Sequence, residues 1–285
     1  MPVNLPELLN IFDIEPTGED VFSGRSHPTL WRRVFGGQVI AQALIACERT
    51  VDVSRVPHSA HAYFILPGNA DVPIQFAVER IRDGGSFSTR RCVASQNGQA
   101  IFALFSSFQS EEPGFDHAFA MPDVPMPDQL PSLQDSLQAY GDLLPPQVRA
   151  YFTQESAIEL RPTSLDRYLG RPLSDARQAI WMRASGPMGA DARQHRAILA
   201  YLSDMSLLDA ALVAHGRSLF QPGLQAASLD HALWFHRPFR ADEWLLFTQD
   251  SPNASGARGL TRGLIYAQDG RLIASVAQEG LIRQI

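Results

Sequence analysis

The sequence predicts an α+β protein built from two tandem helix-plus-antiparallel-sheet repeats. Three observations carry this. Each half of the chain holds an apolar helical segment followed by runs with strand alternation. Each half ends a strand pair in a two-residue turn, Asn97-Gly98 and Asp269-Gly270, which is the strongest short hairpin signal. Residues also recur between the halves in order. Thr89-Arg90, Gln96 and Asn97-Gly98 match Thr261-Arg262, Gln268 and Asp269-Gly270 at an offset of 172. His61-Ala62 matches His231-Ala232 at 170, Pro67 matches Pro238 at 171, and Ala43-Leu44 matches Ala211-Leu212 at 168. A drifting offset is what duplicated units with small loop insertions leave behind.

Taken in order, Leu5–Phe12 reads as a short amphipathic helix, and Phe35-Gly36-Gly37-Gln38 opens a longer one over Val39–Arg49. Strands are expected at His58–Leu66, Ile74–Arg82, Ser86–Gln96 and Gln99–Gln109. Residues 111–155 are dense in proline, including Pro113, Pro122, Pro125, Pro127, Pro131, Pro145 and Pro146, and read as a linker with short helices at Leu133–Tyr140 and Gln147–Thr153. Beyond it, Ile158–Arg161 and Ala179–Ala184 are strand-like and His195–His215 is helical. Further strands are expected at Ala226–Phe235, Trp244–Gln249, Arg258–Gln268 and Arg271–Gln278. The expected organisation is a first repeat over 1–110, the linker over 111–155 and a second repeat over 156–285. This element order fits, without being unique to, the hotdog arrangement of a long helix wrapped by a curved sheet, and two of them in one chain would join their sheets and place clefts between the halves.

Composition excludes several chemistries. The 285 residues carry 24 Lys+Arg against 30 Asp+Glu, a net charge of −6, and every one of the cations is Arg. Without Lys there is no Schiff base and no Walker A loop. An acidic chain argues against nucleic acid as a partner. Cys47 and Cys92 lie in apolar segments and read as reduced, buried thiols. Met1–Phe12 has no leader-like pattern, and no run is long enough to span a membrane. The expected location is therefore the cytoplasm. His58-x-x-His61 and His231-x4-His236 have the wrong spacing for one strand face, and no Cys or carboxylate completes a set, so no metal is expected. No G-x-S-x-G or G-x-G-x-x-G occurs.

Several segments together resemble the type II acyl-CoA thioesterases, which are double-hotdog enzymes. They are Val34-Phe35-Gly36-Gly37-Gln38-Val39, Ala62-Tyr63-Phe64 with Pro67-Gly68, Arg82-Asp83-Gly84 with Ser86-Phe87, Asp230-His231 with Trp234-Phe235-His236-Arg237-Pro238-Phe239, Ala257-Arg258-Gly259 and Gln278-Glu279-Gly280. The resemblance implies hydrolysis of acyl-CoA to a fatty acid and CoA, without metal or organic cofactor, in a homo-oligomer (dimer or tetramer). It implies a water held by Asp204, Ser228 and Gln278. Read without it, Ser203 or Asp204 is a helix N-cap, and Ser228 and Gln278 are ordinary strand-end residues.

Carried back by the repeat offsets, Ser228 maps to His58, Gln278 to Ser106, and Asp204 near Gly36. The first repeat would then lack a carboxylate and supply pocket walls, with Gly37, Gln38 and His58 as candidate substrate contacts. CoA phosphates must meet Arg in a chain without Lys, and Arg258 is the candidate. Two other readings stay open: an enoyl-CoA hydratase using Asp209 and His215, and a non-catalytic acyl-CoA binding module.

Overall fold

The computed structural model describes residues 4–27, 33–171 and 177–285. Met1–Val3 of the N-terminal stretch lie outside the described residues. The elements are α1 (Leu5–Phe12), β1 (Glu15–Gly18), β2 (Val21–Gly24), α2 (Gly36–Glu48), β3 (Arg55–Phe64), β4 (Ile74–Asp83), β5 (Phe87–Gln96), β6 (Gln99–Ser110), α3 (Leu133–Tyr140), α4 (Pro146–Phe152), β7 (Ile158–Pro162), α5 (Asp166–Leu169), β8 (Arg177–Ala184), α6 (Ala192–Ser203), α7 (Ala210–Val213), β9 (Leu224–Ser228), β10 (Asp230–Phe235), β11 (Leu245–Ser255), β12 (Arg258–Ala267) and β13 (Leu272–Gln284).

The strands form one antiparallel sheet in the order β1-β2-β4-β5-β6-β3-β10-β13-β12-β11-β8-β7, with β9 also on β13. This is the joined sheet expected of a double hotdog. The seam is β3 against β10, where Ala62 faces His231 and His61 faces Ala232. Inside the sheet lies α2, buried from Gly37 to Glu48. A helix apolar on all sides has nowhere else to go. Its polar break, Gln42, is satisfied by donating to the Ile11 and Arg25 carbonyls, each at 2.9 Å.

The α2 and α6 helices pack antiparallel. At one end Gly37 N–H donates to the Asp204 carboxylate. At the other, Arg196 Nε lies 2.6 Å from Glu48 Oε1.

The expected helix over His195–His215 is broken. α6 stops at Ser203, and a 3-10 turn at Leu207–Asp209 leads into α7. Tertiary bonds hold the kink: Gln249 Nε2 donates to Ser206 Oγ at 2.6 Å and Gln178 Nε2 to the Ser206 carbonyl at 3.2 Å. Ser-Asp-Met-Ser is weak helix, because its short polar side chains compete for backbone groups, so these bonds decide the outcome.

The expected strand Ala226–Phe235 is also interrupted, at Leu229. Ala232 opposes Ala277 and Ser228 opposes Gly280, so four steps on one strand answer three on the other. Leu229 is the extra residue of a bulge. Trp244–Gln249 runs longer than expected, to Ser255, because a register shift between Asp250 and Asn253 accommodates Pro252. The proline-rich stretch is more than a spacer. Met121, Val124, Met126 and Leu130 pack on Trp181, Leu246, Tyr266 and Leu272, and Trp181 Nε1 donates to the Pro125 carbonyl at 2.9 Å. No helix among the described residues is long and apolar enough to cross a membrane.

Candidate active site

Where α6 ends, the α2 N-terminus, the Leu229 bulge and β13 converge. Asp204 is the residue following α6 and keeps right-handed helical dihedrals (φ −93°, ψ −9°). It does not cap its own helix. It takes up the N–H of Gly37 in the first turn of α2, whose preceding residue Phe35 makes no side-chain cap. The N-cap expectation does not hold: Asp204 stands at the C-terminal end of α6, and its side chain meets an N–H of another helix.

The glycine pair is a steric requirement of this approach. A Cβ on Gly36 would lie 2.6 Å from Asp204 Oδ2, and one on Gly37 would lie 2.4 Å from the Tyr201 carbonyl oxygen. Gly37→Ala is accordingly expected to lose about 1–3 kcal/mol, the usual cost of overpacking a tight contact, because a backbone carbonyl cannot swing aside. Thermal unfolding measures it, and an unchanged melting temperature would contradict the geometry.

Ser228 Oγ donates to Asp204 Oδ1 at 3.3 Å, and Gln278 Nε2 donates to Ser228 Oγ at 2.8 Å. The three residues predicted from sequence thus form one hydrogen-bonded line. Burial pushes the Asp204 carboxyl up to about 7, against the opposing effect of the Gly37, Gln278 and Ser228 hydrogen bonds. A carboxylate poised near neutrality can exchange a proton at working pH.

Sequence reasoning missed His231 as part of this line. It is buried, with Nδ1 at 2.6 Å from Gln278 Oε1 and Nε2 at 3.0 Å from Ser203 Oγ. Strict alternation would put Ser228 and His231, three residues apart, on opposite faces. The Leu229 bulge adds one residue and turns both toward Gln278. The only available signal was the Ser-Leu-Asp-His run itself, which does not announce a bulge.

The other candidates sit elsewhere. Gln38 is buried, and its amide donates to the Arg25 carbonyl at 3.2 Å, Ser26 Oγ at 3.1 Å and Gln42 Oε1 at 3.2 Å. It ties the chain before α2 in place. His58 lies about six residues along β3 from the Phe64 end that meets Leu229, roughly 20 Å at 3.3 Å per residue. Its ring meets Phe87 edge-on. Arg258 pairs with Glu279 at 3.1 Å on the exposed face, opposite to the face of buried Gln278. Asp209 is held by Arg167 in a buried ion pair, and His215 is exposed, so they form no acid–base pair. Among the described residues no group of three His, Cys, Asp or Glu could hold a metal.

The repeat equivalences also need correction. Both halves carry a bulge next to the hairpin, at Ala94/Ser95 and at Ile265/Tyr266. Aligned on these, Gln278 corresponds to Ser106 as expected, but His231 corresponds to Ala60, and the bulge residue Leu229 to His58. Pro57, not His58, stands in the place of Ser228. The first half does have a carboxylate: Glu48 ends α2 as Asp204 follows α6. It faces Arg196 instead of a hydroxyl. The His61-Ala62 and His231-Ala232 match is not an equivalence in space, because His61 is exposed and His231 is buried.

Comparison with known proteins decides the family. Residues 147–281 match the acyl-CoA thioesterase family model, and residues 26–109 match that of the acyl-CoA thioesterase N-terminal domain. Acyl-CoA thioesterase 2 of Haemophilus influenzae is 38% identical over 98% of each chain. The chain belongs to the acyl-CoA thioesterases. Human acyl-coenzyme A thioesterase 8 is 38% identical to this thioesterase over 96% of its chain and 88% of the human protein. The crystal structure of acyl-CoA thioesterase II TesB2 from Mycobacterium marinum superposes at a TM-score of 0.81, with 41% identity over 98% of both chains. A hot dog fold protein from Alicyclobacillus acidocaldarius, at a TM-score of 0.78 and 19% identity, shares the fold.

Proposed function

We propose that this thioesterase hydrolyses fatty acyl-CoA by direct attack of one water held by Asp204, Ser228 and Gln278, with no acyl-enzyme. The hydrogen-bonded line from Gln278 through Ser228 to a carboxylate near pH 7 supports this reading most directly. The Asp204 carboxylate takes a proton from water as its oxygen adds to the thioester carbonyl carbon. Gln278 and Ser228 fix where that water sits and which lone pair it presents. Charge developing on the carbonyl oxygen would be met by the Gly36 N–H at the start of α2, since the Gly37 N–H goes to Asp204 and the Gln38 N–H to the Phe35 carbonyl. Collapse breaks the C–S bond, and the proton held by Asp204 goes to the departing thiolate.

Ser228 does not serve as nucleophile in this scheme. Oγ accepts from Gln278 and donates to Asp204, and in this scheme those bonds hold the water site. One water site per chain follows from Pro57 and Ala60, which leave the first half without the hydroxyl and imidazole. With no Lys in the chain, the side-chain cations that meet the CoA phosphates would be arginines.

Acid quench during turnover, followed by intact-protein mass measurement, tests the mechanism. Unmodified protein is expected alongside stoichiometric free thiol. Acyl mass on Ser228 would overturn it, and acyl-CoA binding with no thiol release would favour the non-catalytic module.

A further inference from the structure

We infer that His231 is a positioning residue which fixes the orientation of the Gln278 amide, and through it the water site. The inference rests on the Asp204–Ser228–Gln278 reading.

An amide side chain fits its density of neighbours in two ways, with oxygen and nitrogen exchanged. Both ends of Gln278 have partners, so its orientation is set by what each partner can do. Ser228 Oγ lies 2.8 Å from one end and His231 Nδ1 lies 2.6 Å from the other. Ser228 could donate to an oxygen or accept from a nitrogen, so it does not choose. The Asp204 carboxylate, which the amide also meets, can only accept and favours an N–H on that side. His231 decides the other end. With a proton on Nδ1 it can only donate, which draws Oε1 to it and turns the amide N–H groups toward Ser228.

The tautomer follows from the same contact: Oε1 at 2.6 Å from Nδ1 needs a proton between them, which leaves Nε2, 3.0 Å from Ser203 Oγ, as the acceptor of a neutral ring. Burial also favours a neutral ring, pushing His231 down to about 4. From His231 onward the donors then run one way, to Gln278, to Ser228 and to Asp204. Were the amide reversed, Oε1 would accept the Ser228 proton. Asp204 would lose that donor, and the water would lose an N–H. The first half has no such line, since Ala60 occupies the His231 position.

The test compares His231→Asn, whose Nδ2 keeps a donor near the Nδ1 position, with His231→Leu, which keeps bulk and removes it. His231→Leu is expected to lower kcat about 10–100-fold, the scale of a misplaced reacting group, with KM within about twofold. His231→Asn should recover most of that loss. In a Gln278→Ala background, His231→Leu should cost nothing further, because it acts through the amide. Equal losses in Asn and Leu, or additive losses in the double variant, would overturn the inference and leave His231 as packing. If Gln278→Ala itself retains wild-type kcat, the underlying three-residue reading fails instead. Circular dichroism and active-site-independent unfolding curves keep a folding defect apart from either result.

Discussion

Asp204→Asn is expected to lower kcat by about 10²–10⁴-fold, the span for loss of a general base, while leaving the fold intact and making it more stable. The two effects have one cause. Burial holds the folded-state carboxyl at about 7, above its ordinary value of 3.8. A group raised on folding contributes stability that is fully present below its unfolded pKa and is lost as pH rises through its folded one. The wild type should therefore lose stability between about pH 4 and pH 8 in a way the Asn variant does not. One pKa unit is about 1.4 kcal/mol, so the gain for Asn at pH 8 is about 2–4 kcal/mol, vanishing near pH 4. Wild-type kcat/KM should also rise with pH through a midpoint near 7, where the free carboxylate forms. Urea denaturation at pH 4 and 8, with thiol release across the same range, checks all three. Wild-type activity in Asp204→Asn would refute its assignment as base.

Arg196→Met is expected to destabilise the fold by about 3–5 kcal/mol above neutrality. It leaves Glu48 as an uncompensated buried charge. Glu48 is buried and already held up at about 7 by desolvation, with Arg196 as the main opposing influence. Its Oε2 has no hydrogen-bond partner, so the arginine is the principal reason the carboxylate is tolerated. The sign is again that of a raised acid: the loss should be large at pH 8.5 and shrink as pH falls toward 5, where Glu48 takes a proton. Glu48→Gln in the Arg196→Met background should restore much of the stability. A loss independent of pH, or unrelieved by Glu48→Gln, would mean that the guanidinium acts by packing alone.

These two acids explain why much of the site was legible and part of it was not. The Asp204, Ser228 and Gln278 trio came from the resemblance, and the structure brings these residues into contact. Their one-dimensional signatures were those of a cap, a strand edge and a strand end. His231 escaped because its inward direction depends on a bulge, and a bulge changes the face of a residue without changing its type. His58 was misplaced for the same reason. An alignment of identities carries no register, whereas a one-residue slip in a strand reverses every side chain beyond it. Glu48 escaped because the match Ala43-Leu44 to Ala211-Leu212 pairs α2 with α7, while it is α6 that packs antiparallel on α2.

Residue type and local spacing specify the fold class, the hairpins at Asn97-Gly98 and Asp269-Gly270, the largely apolar helix from Val39, and the exclusion of lysine chemistry. Both are written in the chain itself. Only the tertiary structure decided that Asp204 caps a helix of the other half, that the proline-rich segment covers Trp181, and that Ser228 and His231 share a face. Those outcomes come from contacts between residues far apart in sequence. Their energies depend on burial and on which donor finds which acceptor.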